Sequence, residues 1–224
     1  MAGDLPLAVG VLVSGVGTNL QALLDTVHGR GEVEVVAVAS SVAGVPALER
    51  AERHGVPTAV FARGDYGERA ERDAALAEWL AARGVRLVVL AGYMELLGTD
   101  LLDRFPGAVL NVHPSLLPAF PGLHAIEQAI AHGVKVFGVT VHFVDLGVDS
   151  GPIVLQGAVE LPDATDPAEV LAALRPLEHS LLPEAVLLYA RGDLSIDDAN
   201  PRRVLVGGRG QPWAVASEHT RGTL

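Results

Sequence analysis

The first half of the chain alternates short, continuous apolar runs with segments that have helical periodicity. A run without polar interruptions, such as Leu7–Val13, is typical of a strand buried on both faces. The segment that follows, 18–27, carries leucines and a valine at helical spacing. Because the alternation repeats, it predicts parallel strands joined by crossover helices, with helices on both faces of the sheet.

The same reading extends along the whole chain. We predict further strands at 33–39, 58–61, 86–91 and 109–113, and helices at 46–54, 65–83 (capped by Asp65) and between Gly92 and Phe105. In the second half we predict a helix at 125–132, an antiparallel hairpin of 136–144 and 153–159, a helix at 166–190 that Pro176 and Pro183 interrupt or kink, and a small hairpin around 194–206.

These elements predict an α/β fold: a three-layer, Rossmann-like, mostly parallel sheet with helices on both faces and an antiparallel edge in the C-terminal half. We expect residues 1–207 to form a single domain, whose halves divide near residue 105. After about Arg202 apolar periodicity fades and Gly, Arg and Pro accumulate, so we expect a flexible tail at 208–224.

Composition excludes several classes of function. The chain has 224 residues, a formal net charge of −11 and no cysteine. Without cysteine there are no disulfides, thiol nucleophiles or thiolate metal sites. The acidic balance argues against a nucleic-acid partner. Because no apolar run reaches the length of a membrane span, we expect a cytoplasmic protein without a membrane partner.

Two polar side chains, Asn111 and His113, end the predicted strand 109–113. Their spacing of two places them on the same side of an extended segment. Three prolines and a glycine follow within nine residues, so a rigid, irregular loop replaces the strand. Such a pair is either part of an active site or an ordinary strand end, and these residues alone leave both readings open.

A glycine-containing turn, 14–19, joins the first strand to the first helix. Glycines let the backbone approach an anion, and the helix N-terminus offers free N–H groups and a positive dipole end. The turn lacks the third glycine of the dinucleotide fingerprint, since Leu20 stands there, and the lysine of a P-loop. It therefore suits a single phosphate, or it is a plain turn that binds nothing.

Asp145 and Asp149 flank the turn of the predicted hairpin. A carboxylate beside His113 would hold its ring and favour the protonated form, which could donate to a developing oxyanion. An Asp in a glycine-rich turn is otherwise just a turn residue. We find no histidine pair at metal-ligand spacing and no Gly-x-Ser-x-Gly elbow, so neither a metal nor a serine nucleophile is expected.

Four motifs together resemble one family. They are the runs 14–21 (SGVGTNLQ), 111–118 (NVHPSLLP), 138–142 (GVTVH) and 145–152 (DLGVDSGP). In order and spacing they are similar to the folate-dependent formyltransferases, over about residues 9–193. The run 14–21 resembles most the branch that formylates the amine of phosphoribosylglycinamide in purine (IMP) biosynthesis.

The resemblance implies catalytic roles for three residues. Asn111 would donate to the formyl oxygen, His113 would act as general acid, and Asp149 would orient His113. The substrate amine would attack the formyl carbon of 10-formyltetrahydrofolate directly, without a covalent enzyme intermediate and without a metal.

The resemblance also implies two binding regions. The ribotide phosphate would lie on the backbone of Gly17, Thr18 and Asn19, and Glu178 would accept hydrogen bonds from the ribose hydroxyls. The residues expected to contact folate are Arg69, Tyr93, Met94, Glu95, Leu96, Leu97, Asn111 and Asp145. The N-terminal half, about 1–105, would then hold phosphate and the C-terminal half, about 106–207, would hold folate and the catalytic groups.

The chain departs from the family pattern at two positions. Glu95 is acidic where the family has a basic residue, so it either frames folate through its backbone or weakens the hold on the anionic tail. Pro176 stands where a continuous helix would present Glu178. The resemblance further implies a cis peptide bond between Leu117 and Pro118.

Three alternative functions follow from the same motifs. A transfer-RNA formyltransferase would add a C-terminal β-barrel domain and a basic surface. A formyltetrahydrofolate hydrolase would carry an extra N-terminal regulatory domain, whereas the first strand here starts near Leu7. A silent folate- or nucleotide-binding module would have no reason to keep Asn111, His113 and Asp149. The resemblance is also compatible with a homodimer.

Overall fold

The computed structural model of the protein describes residues 5–207, so the predicted tail at 208–224 lies outside the described residues. The strands are β1 (Leu7–Val13), β2 (Val33–Ser40), β3 (Thr58–Val60), β4 (Leu87–Leu90), β5 (Val109–His113), β6 (Val136–Phe143), β7 (Ile153–Glu160), β8 (Leu194–Asp197) and β9 (Asn200–Val206). They form one sheet in the order β3-β2-β1-β4-β5-β6-β7-β9-β8.

The sheet changes from parallel to antiparallel at β5. Strands β3, β2, β1, β4 and β5 pair in parallel, whereas β6 runs antiparallel to both β5 and β7. Strand β9 meets β7 at a single pair, Ile153 and Arg203, and forms an antiparallel hairpin with β8. The predicted mostly parallel sheet with an antiparallel C-terminal edge is therefore confirmed.

Helices cover both faces of the sheet. They are α1 (Thr18–Thr26), α2 (Pro46–Arg53), α3 (Arg69–Ala81), α4 (Thr99–Arg104), α5 (Ala125–Ala131) and α6 (Pro167–Arg191). Alternate residues of β1 show the two layers, because Val11 packs into the core under α1, α2, α5 and α6, and Leu12 into the core under α3 and α4. Both cores are built from aliphatic side chains with few aromatics.

The start of α3 differs from the prediction. Asp65 does not cap it but lies in a 3₁₀ turn at Arg63–Asp65. The helix begins four residues later, where Glu68 and Glu71 form a reciprocal capping box. A helix that starts here has two side chains, Glu68 and Glu71, to accept from the free N–H groups of its first turn, whereas a start at Asp65 would have only one carboxylate.

The prolines were predicted to interrupt or kink the last long helix, and the prediction of an interruption is wrong. Helix α6 runs without a break for 25 residues, with Pro176 and Pro183 inside it. Leu174, Glu178 and Leu182 recur every four residues as a buried stripe along the helix. Burial of that stripe offsets the hydrogen bond lost at each proline, which costs about 3 kcal/mol in a helix interior.

We expect Pro176→Ala to stabilise the protein. Pro176 is exposed, and alanine would restore an N–H donor to the helix at a place where no packing is lost. The free energy of unfolding should rise by about 1–3 kcal/mol, measured by urea denaturation. Pro167→Ala is the matched control, because a first-turn proline costs the helix no hydrogen bond. Equal effects of the two substitutions would contradict this account.

Candidate active site

A cavity of about 560 Å³ lies at the carboxyl ends of the central parallel strands, the edge where open α/β sheets place their ligands. Its lining includes Asn19, Arg69, residues 93–97, Asn111, His113, His142, Asp145, Asp149 and Glu178. Gly17 and Thr18 do not line the cavity but adjoin it through Asn19. The fold thus collects nearly all of the site residues that the sequence predicts into one space.

Asn111 and His113 enter this cavity from the end of β5. The strand pairs with β6 so that Asn111 lies opposite His142, and His113 lies opposite Thr140. The next residues form an irregular loop, in which the Leu117–Pro118 bond is cis, as expected from the resemblance. The predicted strand end followed by a loop is confirmed.

Asp149 joins the loop between β6 and β7 to the end of β5. It has a left-handed backbone (φ 48°), a conformation that costs an Asp about 1 kcal/mol. Its Oδ2 accepts from the Gly122 backbone N–H at 2.7 Å and lies 3.3 Å from His113 Nδ1. Its Oδ1 accepts from Asn111 Nδ2 at 3.3 Å. One carboxylate therefore contacts both polar residues of β5.

The charge of Asp149 is strongly favoured. Burial would raise its pKa, but hydrogen bonds from His142 and Gly122, together with the nearby ring of His113, lower the pKa to about 2. Asp149 is consequently an anion at every pH at which the protein would work. It can hold a cationic His113 ring without competing for its proton.

His113 is buried, and both of its ring nitrogens face acceptor oxygens. Nδ1 faces the Asp149 carboxylate, and Nε2 lies 2.9 Å from the Phe120 carbonyl oxygen. A carbonyl oxygen can only accept, so Nε2 carries a proton, and a doubly protonated ring satisfies both contacts together. The geometry therefore suits a proton donor.

His142 is a site residue to which the sequence reading gave no role. Its Nδ1 lies 2.8 Å from the Phe143 carbonyl oxygen and must donate. Nε2 of the neutral ring can then accept from Asn111 Nδ2 at 3.1 Å, and in the cationic ring it can donate to Asp149 Oδ1 at 3.5 Å. The sequence signal for His142 was the alternation that places it with Thr140 on one face of β6. The pairing of His142 with Asn111 on β5 could not be predicted from that alternation.

The turn before α1 has the form expected of an anion cradle. Gly17 is the N-cap and has a left-handed backbone (φ 77°), and a side chain there would lie 2.6 Å from Ala47 Cβ. Arg50 donates to the Val16 carbonyl oxygen at 2.9 Å and so fixes the turn from the side of α2. The N–H groups at the start of α1 are accordingly well placed for a phosphate.

Glu178 meets the N-terminal half at Asn19. Asn19 Nδ2 donates to Glu178 Oε2 at 3.3 Å, and Asn19 Oδ1 is buried with no partner among the described residues. Burial raises the pKa of Glu178, although Asn19 and the charge of Arg175 oppose this. The unbroken α6 thus presents Glu178 to the cavity despite Pro176.

We call residues 93–97 the wall segment. It contains neither helix nor strand, and the next helix, α4, begins at Thr99. Glu95 Oε2 accepts from Arg72 Nη1 at 2.8 Å. This ion pair joins residues 23 positions apart, so no local pattern could predict it. Burial raises the pKa of Tyr93 to about 12, and its hydroxyl has no hydrogen-bond partner in the part of the chain described.

The two remaining residues predicted to bind folate, Arg69 and Asp145, also line the cavity. Arg69, the first residue of α3, is the one arginine or lysine among the described residues that line it. Asp145 Oδ1 accepts from Ser150 Oγ at 2.6 Å and from the Gly147 N–H at 3.0 Å. Asp145 therefore also shapes the turn that carries Asp149.

Among residues 5–207, no helix is long and apolar enough to span a membrane, and no group of three or more His, Asp or Glu is arranged to hold a metal ion.

Comparison with known proteins agrees with this geometry. The model of the formyl transferase family matches residues 7–186, which is most of the chain. The chain belongs to the formyl transferase family. The match begins with β1 and ends within α6, so it contains every residue that we place at the cavity.

Relatives within the formyl transferase family carry more specific names. Phosphoribosylglycinamide formyltransferase of Haemophilus influenzae is 39% identical over 191 residues, which is 85% of this chain and 90% of that protein. The trifunctional purine biosynthetic protein adenosine-3 of Drosophila pseudoobscura is 40% identical over 189 residues, 83% of this chain. The chain spans only 14% of the length of that trifunctional relative.

A solved structure of the same family is similar throughout. Glycinamide ribonucleotide transformylase 1 from Symbiobacterium toebii has a TM-score of 0.87 and 46% identity, and the match covers 93% of this chain and 100% of that one. The fold and its order of strands are therefore those of a formyl transferase.

The stability of the protein should depend on Asp149 at low pH. Its folded pKa of about 2 lies below the ordinary value, so the stabilisation is complete above about pH 4 and is lost as the pH falls toward 2. Between pH 5 and pH 2 the wild type should lose about 2 kcal/mol more than Asp149→Asn. Urea denaturation of both proteins across this range is the measurement, and parallel profiles would show that Asp149 is not the group responsible.

Proposed function

We propose that this protein transfers the formyl group of 10-formyltetrahydrofolate to the amine of 5′-phosphoribosylglycinamide. The products are formylglycinamide ribotide and tetrahydrofolate, as in purine biosynthesis. The observation that carries the proposal is that one cavity joins the Asn19–Glu178 pair, the His113–Asp149 pair and the wall segment. Relatives that match most of the chain are named for the same reaction.

The two halves of the chain supply different parts of the site. In the proposed complex the ribotide phosphate lies on the N–H groups of Gly17, Thr18 and Asn19, and Glu178 accepts from the ribose hydroxyls. Folate occupies the side of the cavity lined by the wall segment, with Arg69 available for an anionic tail. This division supports a single domain over residues 1–207 whose halves meet at the cavity.

The chemistry follows from the groups around His113. The substrate amine attacks the formyl carbon, a new C–N bond forms, and negative charge develops on the formyl oxygen. In this proposal Asn111 Nδ2 and a protonated His113 ring donate to that charge. Such a donor is worth about 10²–10³ in rate. The amine then loses a proton, N10 of folate gains one, and the bond between N10 and the formyl carbon breaks.

Asn111 has competing partners in this arrangement. Its Nδ2 already faces His142 Nε2 at 3.1 Å and Asp149 Oδ1 at 3.3 Å. The formyl oxygen must therefore displace one of these contacts to receive the amide hydrogen. The ion pair with His113 keeps the carboxylate of Asp149 partnered in either case.

Formyl transfer should depend on His113. We expect the purified protein to formylate phosphoribosylglycinamide, and His113→Ala to lose about 10²–10⁴-fold in kcat, because it removes the proton donor. Ribotide binding should stay near the wild-type value, whereas the melting temperature should fall because Asp149 loses a buried partner. His54→Ala, an exposed histidine at the end of α2, is the matched control.

Two outcomes would count against the proposal. A wild-type protein that binds both ligands but shows no turnover is not a formyltransferase. A His113→Ala variant with more than about a tenth of wild-type activity leaves formyl transfer intact but removes His113 from the role of acid.

We further propose a cytoplasmic location, which rests on the composition of the chain, and a homodimer, which rests on the resemblance. One chain has a mass of 23.3 kDa. Sedimentation equilibrium at micromolar concentration should give twice that mass. A single species at the monomer mass would rule the homodimer out under those conditions.

A further inference from the structure

The wall segment is held in place by side chains of other elements. The Met94 N–H donates to Ser14 Oγ at 2.9 Å, and the Leu96 carbonyl oxygen accepts from Arg72 Nη2 at 3.0 Å. Just beyond the segment, the Gly98 N–H donates to Asp73 Oδ2 at 2.6 Å. Because the segment has no regular secondary structure, these contacts replace the hydrogen bonds that a strand or helix would supply.

Arg72 and Asp73 form a buried charge cluster beneath this segment. Their side chains are 2% and 0% exposed. Asp73 Oδ1 accepts from Arg72 Nε at 3.0 Å and from Nη2 at 2.8 Å, while Nη1 binds Glu95 Oε2 at 2.8 Å. Charges buried so completely persist only when they are paired and hydrogen-bonded. The cluster satisfies this condition by binding the wall segment itself.

We propose that Arg72 is a positioning residue for folate: it does not line the cavity but fixes the wall segment through Glu95, the Leu96 carbonyl oxygen and Asp73. The inference rests on the proposed function, because it assigns the wall segment to the folate side of the cavity. It also gives Glu95 a role, since one of its oxygens binds inward to Arg72 and its charge is compensated there.

The same cluster links the wall segment to the cation of the cavity. Arg69 begins α3, and Arg72 lies one turn further along the same helix. Both the backbone that would frame folate and the guanidinium available to its tail therefore depend on the position of α3. Loss of Arg72 should weaken folate binding without moving the ribotide side, where Asn19 and Glu178 lie.

A competing explanation is that Arg72 only neutralises Glu95. The variants Arg72→Met, Glu95→Gln and the double variant separate the two. If neutralisation is the whole role, Glu95→Gln restores folate binding in the Arg72→Met background. If Arg72 positions the segment, the double variant stays defective, because the Leu96 carbonyl oxygen and Asp73 have still lost their partner.

Steady-state kinetics supply the first readout. We expect Arg72→Met to raise the KM for 10-formyltetrahydrofolate about tenfold or more, since it removes charged hydrogen bonds. By comparison, the ribotide Kd should change by less than about twofold, and kcat by less than about threefold. Arg83→Met, an exposed arginine just past the end of α3, should leave all three unchanged.

Arg72→Met leaves Asp73 buried without its cation, which endangers folding. Arg72→Met/Asp73→Asn removes both charges and keeps an acceptor for the Gly98 N–H, so it serves when the single variant does not fold. Its folate KM should be raised as in the single variant. A wild-type KM in either variant would overturn the inference.

Amide hydrogen exchange supplies a readout that does not need turnover. The amides of Met94 and Gly98 should exchange faster in Arg72→Met or in the Arg72→Met/Asp73→Asn variant, while those of β1 and α6 keep their protection. Unchanged protection at Met94 and Gly98, or restoration of folate KM by Glu95→Gln, would refute the positioning role. A wild-type protein without formyl transfer would refute the proposed function instead, and the exchange result would still decide whether Arg72 anchors the segment.

Discussion

The contacts of the Asp149 carboxylate hold together the end of the cavity that we propose to be catalytic. This one group bonds to Asn111 and Gly122 and faces the rings of His113 and His142. Those partners come from β5, from the loop directly after it and from β6. The left-handed backbone of Asp149 is the local cost of reaching them, and its low pKa shows that the partners favour the charged form.

Local patterns were enough to predict the strands and to single out Asn111 and His113 as candidate site residues, because strand spacing and the proline-rich loop are properties of adjacent residues. Only the resemblance to a family gave the two residues roles. The role of His142 depends on the register between β5 and β6, which brings it opposite Asn111. No local pattern encodes that register, so its role could not be read from the sequence.

The failures of prediction concern competition between local preference and packing. Two prolines predict a break in α6, but the buried stripe of Leu174, Glu178 and Leu182 keeps the helix whole. Arg72 reads as an ordinary helical arginine, because its partner Glu95 lies 23 residues away. Tertiary contacts decided both cases, and they brought Glu178 and the wall segment to the cavity.

The cavity reconciles an acidic protein with anionic ligands. Four carboxyl groups line it, at Glu95, Asp145, Asp149 and Glu178, against one arginine. Glu95 is paired with Arg72, Asp149 faces two histidines, and Asp145 is bound within its own turn. Burial raises the pKa of Glu178 and so favours its neutral form. With the acids compensated in this way, the backbone dipoles at the start of α1 and Arg69 are the groups that would attract the phosphate and the carboxylate of the proposed ligands, although the net charge of the chain opposes both.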